Sequence, residues 1–127
     1  MVQPSAHSGP IDFPTAVRGA SAGFSVLLIG SLLAMLLTFI FPAYGPMLTV
    51  VAAIIGFYVA AYRVGTASIP ALHGAFAAVL AYLLVLPIWW SFSFAKSRID
   101  LGVAVLCFAL AISTGSLTAW MNAHKRN

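Results

Sequence analysis

The sequence predicts an all-α fold: an integral membrane protein with four transmembrane helices arranged as two hairpins. Its 127 residues are 62% hydrophobic and only 6% charged, which is far more apolar than soluble domains usually are. A helix of roughly 20 apolar residues crosses a bilayer core about 30 Å thick, so apolar stretches of that length indicate spans. Four such stretches occur, at residues 17–41, 46–64, 69–90 and 101–121.

The chain outside these stretches is short. Residues 1–16 are polar and contain three prolines, so we expect a disordered N-terminal tail there. The transmembrane domain then comprises residues 17–122, and residues 123–127 form a basic C-terminal tail.

Turn-forming residues separate the apolar stretches. The link from Pro42 to Pro46 contains two prolines and a glycine, which favour a tight reversal and predict an antiparallel hairpin of the first two spans. Gly65 after the second stretch and Pro70 at the third are typical helix boundaries. Residues 91–100 follow two tryptophans and carry two cations, so we expect this loop at the outer membrane surface. Partner binding by this loop is an alternative.

Small residues recur along the spans at the spacing of one helical face. Gly23 follows Gly19 by four residues, and Gly30 lies seven residues further on. Small residues let helices approach closely in a membrane, where packing rather than hydrophobic exclusion drives association. We interpret them as packing positions within the monomer, with a dimer or partner interface as the alternative. The candidate positions are Gly19, Gly23, Gly30, Gly56, Ala60, Gly74, Ala78, Ala111, Gly115 and Ala119.

The net charge of +4 is explained by orientation in a membrane rather than by nucleic-acid binding, because every cation flanks an apolar stretch. We expect these side chains to meet lipid headgroups. They are Arg18, Arg63, Lys96, Arg98, Lys125 and Arg126. In a four-span topology, four of them lie on the side of the termini and two on the other, which predicts cytoplasmic termini by the positive-inside rule.

Few polar groups lie within the spans. His73 is expected to make a headgroup or helix-end contact, and the alternative is a pH-responsive group. The hydroxyls of Tyr58, Tyr62 and Tyr82 are expected to bond between helices. Residues 113–118 carry several hydroxyls, which makes the fourth span a candidate protein-facing surface.

A weak internal repeat is visible at two places. Residues 16–20 (AVRGA) resemble residues 71–75 (ALHGA) at an offset of 55, which would give Arg18 and His73 equivalent places. Gly56 and Ala60 match Gly115 and Ala119 at an offset of 59. True duplication and chance similarity in an alanine-rich and glycine-rich composition are both open.

The sequence lacks the residue sets that catalysis requires. It contains two acidic residues, Asp12 and Asp100, and no glutamate, so paired carboxylates are missing from the spans. No phosphate-binding loop or metal-ligand spacing occurs. The single cysteine, Cys107, is expected to pack as a small hydrophobe. We therefore predict no enzymatic activity, no cofactor and no metal.

The segment from Gly56 to Gly65 (GFYVAAYRVG), followed by LHGA from Leu72 to Ala75, resembles a group of small four-helix bacterial membrane proteins of unassigned function. The resemblance implies the architecture and no chemistry. With the charge distribution, it predicts a multi-pass protein of the bacterial inner membrane with both termini cytoplasmic.

The leading hypothesis is a non-catalytic accessory or stabilising subunit that packs against a larger membrane protein complex through its small-residue helix faces. Its expected partners are membrane lipids and other integral membrane proteins, with a homo-oligomer left open and no nucleic acid. The alternative is a small oligomeric transporter or channel for a neutral or lipid-like substrate, which the lack of charged residues in the spans disfavours.

Overall fold

A computed structural model describes residues 9–93 and 101–125. Within these ranges the chain is helical and contains no strand. Four helical stretches are long and apolar enough to cross a membrane, which confirms the all-helical prediction and the number of candidate spans. The helices are α1 (Phe13–Ile40), α2 (Gly45–Ala61), α3 (Pro70–Ser93) and α4 (Leu101–His124), with a short 3-10 helix (Pro42–Tyr44) before α2.

Helix α1 begins four residues before the predicted start of the first span. Asp12 occupies the N-cap position and accepts a hydrogen bond from the backbone N–H of Thr15, and Pro14 lies in the first turn, where its missing N–H costs nothing. The predicted disordered tail of residues 1–16 is therefore wrong for Phe13–Ala16, which are helical. Residues 1–8 lie outside the described part of the chain.

The other helix ends also depart from the apolar stretches. Helix α2 ends at Ala61, short of the predicted residue 64, and Gly65 in the following turn has a φ of +60°, a conformation that favours glycine. Helix α3 starts at Pro70 as predicted and runs on through Pro87. Apolar stretches indicate depth in the membrane, whereas capping groups and turns decide where a helix ends.

The helices pack as two close pairs. Helix α1 lies mainly against α2, and α3 against α4, while further contacts join α1 to α3 and α2 to both α3 and α4. Helices α1 and α4 make no contact in the described ranges. The helices thus form a four-membered bundle in which α2 and α3 lie closest to the centre.

The centre of the bundle is filled by side chains. Leu27, Phe57 and Val85 are almost fully buried there. The rings of Phe57 and Tyr82 meet edge to face, with centroids 6.3 Å apart, and buried alanines from all four helices complete the packing. Cys107 is buried in the same cluster, as its expected role as a small hydrophobe requires.

Candidate functional site

The close pairing of α1 with α2 depends on glycine. A Cβ atom at Gly23 would lie 2.6 Å from the Cβ of Ala60 and 2.7 Å from the carbonyl oxygen of Gly56, and one at Gly19 would overlap the carbonyl oxygen of Ala60. Such distances are far below van der Waals contact. A larger side chain would therefore push these backbones apart.

The pair of α3 and α4 is built in the same way. A Cβ atom at Gly74 would overlap the carbonyl oxygen of Gly115 and approach the Cβ of Ala119, and one at Gly115 would lie 2.8 Å from the Cβ of Ala78. All of these residues, and Ala111 of the same helix pair, are buried. The small-residue faces predicted from the sequence thus pack inside the monomer.

The contacts do not follow the 55-residue repeat. Gly74 meets Gly115 and Ala119 as Gly23 meets Gly56 and Ala60, so Gly23 is its structural counterpart at an offset of 51 residues. The sequence match at an offset of 55 instead aligns Gly74 with Gly19. Gly19 lies four residues, or about one helical turn, before Gly23. The resemblance of residues 16–20 to residues 71–75 therefore does not describe the packing.

His73 is the buried polar side chain at the start of α3. It is 0% exposed, and its Nε2 lies 2.9 Å from the carbonyl oxygen of Arg63. Since a carbonyl oxygen only accepts, Nε2 carries a hydrogen and donates it. Nδ1 is buried and has no hydrogen-bond partner among the described residues. The helix-end contact predicted for His73 is confirmed, whereas a headgroup contact and equivalence with the exposed Arg18 are wrong.

Asp12 organises the turn between α2 and α3. Its Oδ2 accepts hydrogen bonds from the Thr66 backbone N–H at 3.1 Å, the Thr66 hydroxyl at 3.1 Å and the Thr15 hydroxyl at 2.9 Å. Gly9 adds a second link, because its carbonyl oxygen accepts from the Ser68 backbone N–H at 3.2 Å. The Thr66 and Thr15 N–H groups stabilise the charged carboxylate and lower its pKa from 3.8 to about 2.

This cluster is not among the residues predicted from the sequence. One part of the cluster, the helix cap, does have a local sequence signal. An aspartate directly before an apolar helix with proline in its first turn is a recognisable helix start. The partner Thr66 lies 54 residues away, and no local pattern connects the two residues.

The predicted headgroup cations are partly described. Arg18, Arg63 and Lys125 are exposed. They lie at one end of the bundle, because the start of α1 and the ends of α2 and α4 meet there. Lys96, Arg98 and Arg126 lie outside the described residues, as does most of the loop that was expected at the outer surface.

Interhelical hydrogen bonds involve only some of the expected groups. The hydroxyl of Tyr82 donates to the carbonyl oxygen of Ala104 at 3.1 Å, as predicted. Tyr58 and Tyr62 are instead exposed, and their rings pack on each other 5.7 Å apart. Trp89 Nε1 joins α3 to α1 by donating to the Ser31 hydroxyl at 3.1 Å.

Two outward grooves flank α2. The α1–α2 groove has a volume of about 320 Å³ and is apolar, with Gly30 and Ala52 on its floor between larger side chains such as Leu33 and Val51. The α2–α4 groove has a volume of about 380 Å³. Its lining combines hydroxyls, an amide and a cation with apolar side chains. It is lined by Ile54, Tyr58, Ser113, Thr114, Leu117, Thr118, Met121, Asn122 and Lys125.

Some polar side chains of the described residues hold the fold together, as Asp12 and His73 do, whereas others line the α2–α4 groove. Among residues 9–93 and 101–125, no group of three or more histidine, cysteine or acidic side chains stands at metal-binding distance. Comparison with known proteins finds no matching family model, no curated relative and no solved structure.

Proposed function

We propose that this chain is a non-catalytic accessory subunit that stabilises a larger membrane protein complex and binds a transmembrane helix of that complex in its α1–α2 groove. The observation that carries the proposal is the floor of this groove. Gly30 and Ala52 are only half-buried there. Small residues in that position let a further helix approach closely.

Nine of the ten small residues expected at an interface are already used inside the bundle. They are buried against partner helices of the same chain, so they cannot also bind another protein. Gly30 is the exception, and it lies on the outer side of the α1–α2 pair. Of the ten small residues predicted to bind a partner, only Gly30 remains available, and it lies in the α1–α2 groove.

The walls of the groove suit a helix. Ile29, Leu33, Val51 and Ile55 are exposed and rise on either side of the small floor residues. An approaching helix would gain packing contacts that disordered lipid tails make less well. The groove has no charged side chain among its lining residues, so the partner surface is expected to be apolar.

The proposal includes membrane insertion as two antiparallel hairpins with cytoplasmic termini. The antiparallel course is supported by the order of contacts: Gly23 of α1 meets Ala60 of α2, whereas Gly30 meets Ala52. Arg18, Arg63 and Lys125 share the end of the bundle that would face the cytoplasm, in agreement with the positive-inside rule.

The test is purification of the full chain from its native membrane in a gentle detergent, with native mass spectrometry of what accompanies it. Leu33→Trp fills the groove, and Leu106→Trp on α4 is the matched control because the two leucines are 54% and 56% exposed. We expect wild type and Leu106→Trp to retain the same larger membrane protein and Leu33→Trp to lose it.

Two results would contradict the accessory role. Solute or lipid transport by the purified chain alone in liposomes would identify a transporter. A dimer of the chain alone that Leu33→Trp disrupts would assign the groove to a second copy.

Orientation is tested separately by cysteine labelling in a Cys107→Ala background. An impermeant reagent applied from outside should label a cysteine placed at Ser97 and leave one at Ser68 unlabelled. The reverse pattern would overturn the proposed topology without affecting the packing of the helices.

A further inference from the structure

The α2–α4 groove differs chemically from the apolar α1–α2 groove. Its polar residues follow one side of α4 from the helix end inward: Lys125 at the rim, then Asn122, then Thr118. Their spacing of three to four residues places them one above another. Ile54 and Leu117 add apolar surface to the same groove.

Thr118 is the informative member of this row. It is only 6% exposed, and its hydroxyl forms no hydrogen bond with the rest of the described chain. The hydroxyls of Ser113 and Thr49, by contrast, bond within their own helices: Ser113 donates to the Ala109 carbonyl oxygen at 2.8 Å and Thr49 to that of Gly45 at 3.1 Å. The Thr118 oxygen is not fully buried, so this hydroxyl reaches the surface of the groove, where a ligand can bond to it.

The positive charge of Lys125 at the rim of the groove indicates the charge of the ligand. Lys125 is the one charged residue among those lining the groove. The amide nitrogen of Asn122 donates to the carbonyl oxygen of Tyr62 at 3.1 Å, which leaves its second hydrogen and its oxygen for a ligand. The carboxylate of Asp12 is bonded to Thr15 and Thr66, and it forms no ion pair with Lys125 in the described part of the chain. A ligand with an anionic head is favoured.

The length of the groove indicates that an apolar chain is attached to this anionic head. From Lys125 to Ser113 the groove follows α4 for twelve residues, or about 18 Å at 1.5 Å per residue. One leaflet of the hydrocarbon core is about 15 Å thick. The groove thus extends from the headgroup level to the bilayer centre, which is the reach of one lipid acyl chain.

We propose that the α2–α4 groove binds one anionic phospholipid. Its phosphate would lie at Lys125, its glycerol ester oxygens would accept a hydrogen bond from Thr118, and one acyl chain would lie along Ile54 and Leu117. The site rests on the membrane insertion in the proposed function and is independent of any protein partner, because it lies on a different face from the α1–α2 groove.

The test is native mass spectrometry of the delipidated full chain in detergent, with phosphatidylglycerol or phosphatidylcholine added as the probe. Wild type should retain one phosphatidylglycerol in preference to phosphatidylcholine. Lys125→Gln should lower phosphatidylglycerol occupancy about fivefold, the effect of one basic side chain near an anionic lipid surface. Thr118→Val should lower it by a similar factor through loss of one hydrogen bond.

The matched control is Thr49→Val, which removes a hydroxyl that already has an internal acceptor and should leave lipid occupancy unchanged. Unfolding midpoints without lipid show whether each variant is folded. Should Thr118→Val fail to fold, the exposed Lys125→Gln still decides the question.

Equal retention of the two lipids by wild type would overturn the proposal, as would full phosphatidylglycerol binding by both groove variants. Loss of a bound polypeptide from these variants with lipid binding unchanged would show that the groove is a protein site instead. None of these results depends on whether Leu33→Trp releases the larger complex, so the two proposals fail separately.

Discussion

The imidazole Nε2 of His73 lies 2.9 Å from the backbone carbonyl oxygen of Arg63, two residues beyond the end of α2. The neighbouring carbonyl of Tyr62 accepts a hydrogen bond from the side-chain amide of Asn122 at 3.1 Å. The last carbonyls of a helix have no partner within it. Side chains from α3 and α4 therefore supply donors to the end of α2 and connect both helices to it.

Replacing His73 tests this connection. His73→Ala removes the donor to Arg63 and leaves a cavity, so we expect a loss of about 2–3 kcal/mol in the free energy of unfolding. His73→Gln can place an amide donor near the former Nε2, so it should lose roughly half as much. Reversible unfolding in mixed micelles measures both values. Equal losses would contradict this expectation, because the amide donor of glutamine would then restore nothing.

The Asp12 cluster predicts a dependence of stability on acid. Hydrogen bonds from Thr66 and Thr15 lower the pKa of this carboxyl from 3.8 to about 2. A lowered pKa stabilises the fold above the unfolded-state value, and this stabilisation is lost as the pH falls from about 4 through about 2. We expect the protection factor of the Thr66 amide, its intrinsic exchange rate divided by its observed rate, to fall over that interval in the wild type.

The control for this prediction is Asp12→Asn, which keeps the shape and removes the ionisable group. Its Thr66 amide should exchange faster than that of wild type at pH 6, and the difference should vanish near pH 2. An exchange difference that persists unchanged at pH 2 would contradict the role of the charged carboxylate.

Gly74 and Gly56 have different kinds of neighbour: one faces backbone and the other faces a side chain. A Cβ atom at Gly74 would overlap a backbone carbonyl oxygen, that of Gly115, whereas one at Gly56 would meet the side chain of Leu27 at 2.6 Å. Backbone cannot move aside without separating the helices, but a leucine can change rotamer. Gly74→Ala should therefore lower the free energy of unfolding by about 1–3 kcal/mol. Gly56→Ala should lower it by less, because the gain in helix propensity is common to both variants and the nearest atoms at Gly56 belong to a side chain.

The measurement is the unfolding midpoint of each variant beside wild type. A larger loss for Gly56→Ala than for Gly74→Ala would show that Leu27 is held as firmly as the backbone. That result would contradict the expectation that an overlap with backbone costs more stability than an overlap with a side chain.

The number of helices and their approximate positions in the chain could be predicted because they depend on composition, which is local. The helix ends were predicted less well. The start of α1 depends on the Asp12 carboxylate and the end of α2 on a turn at Gly65, and both involve contacts between parts of the chain far apart in sequence. Stretches of apolar residues carry no information about such caps.

The small-residue faces were predicted as packing positions, but their assignment to particular helices was not. Spacing places Gly19 and Gly23 on one face, yet it does not say that this face meets α2 or that Gly23 corresponds to Gly74. The α2–α4 groove was also missed, because Tyr58 and Thr118 come together only when α2 and α4 pack.

The hydroxyl of Tyr82 provides the last prediction, because it isolates one interhelical hydrogen bond. Tyr82 is 4% exposed and its hydroxyl donates to the carbonyl oxygen of Ala104 at 3.1 Å, linking α3 to the first turn of α4. Tyr82→Phe keeps the ring against Phe57 and removes only this bond, so we expect a loss of about 1 kcal/mol in the free energy of unfolding. Tyr58→Phe is the matched control, since Tyr58 is 48% exposed and should change stability by less than about 0.5 kcal/mol. Unfolding of the two variants beside wild type in the same micelles makes the comparison. If both are neutral, the packing of α3 on α4 depends on the small residues around Gly74 and Gly115, and the hydrogen bond contributes nothing measurable.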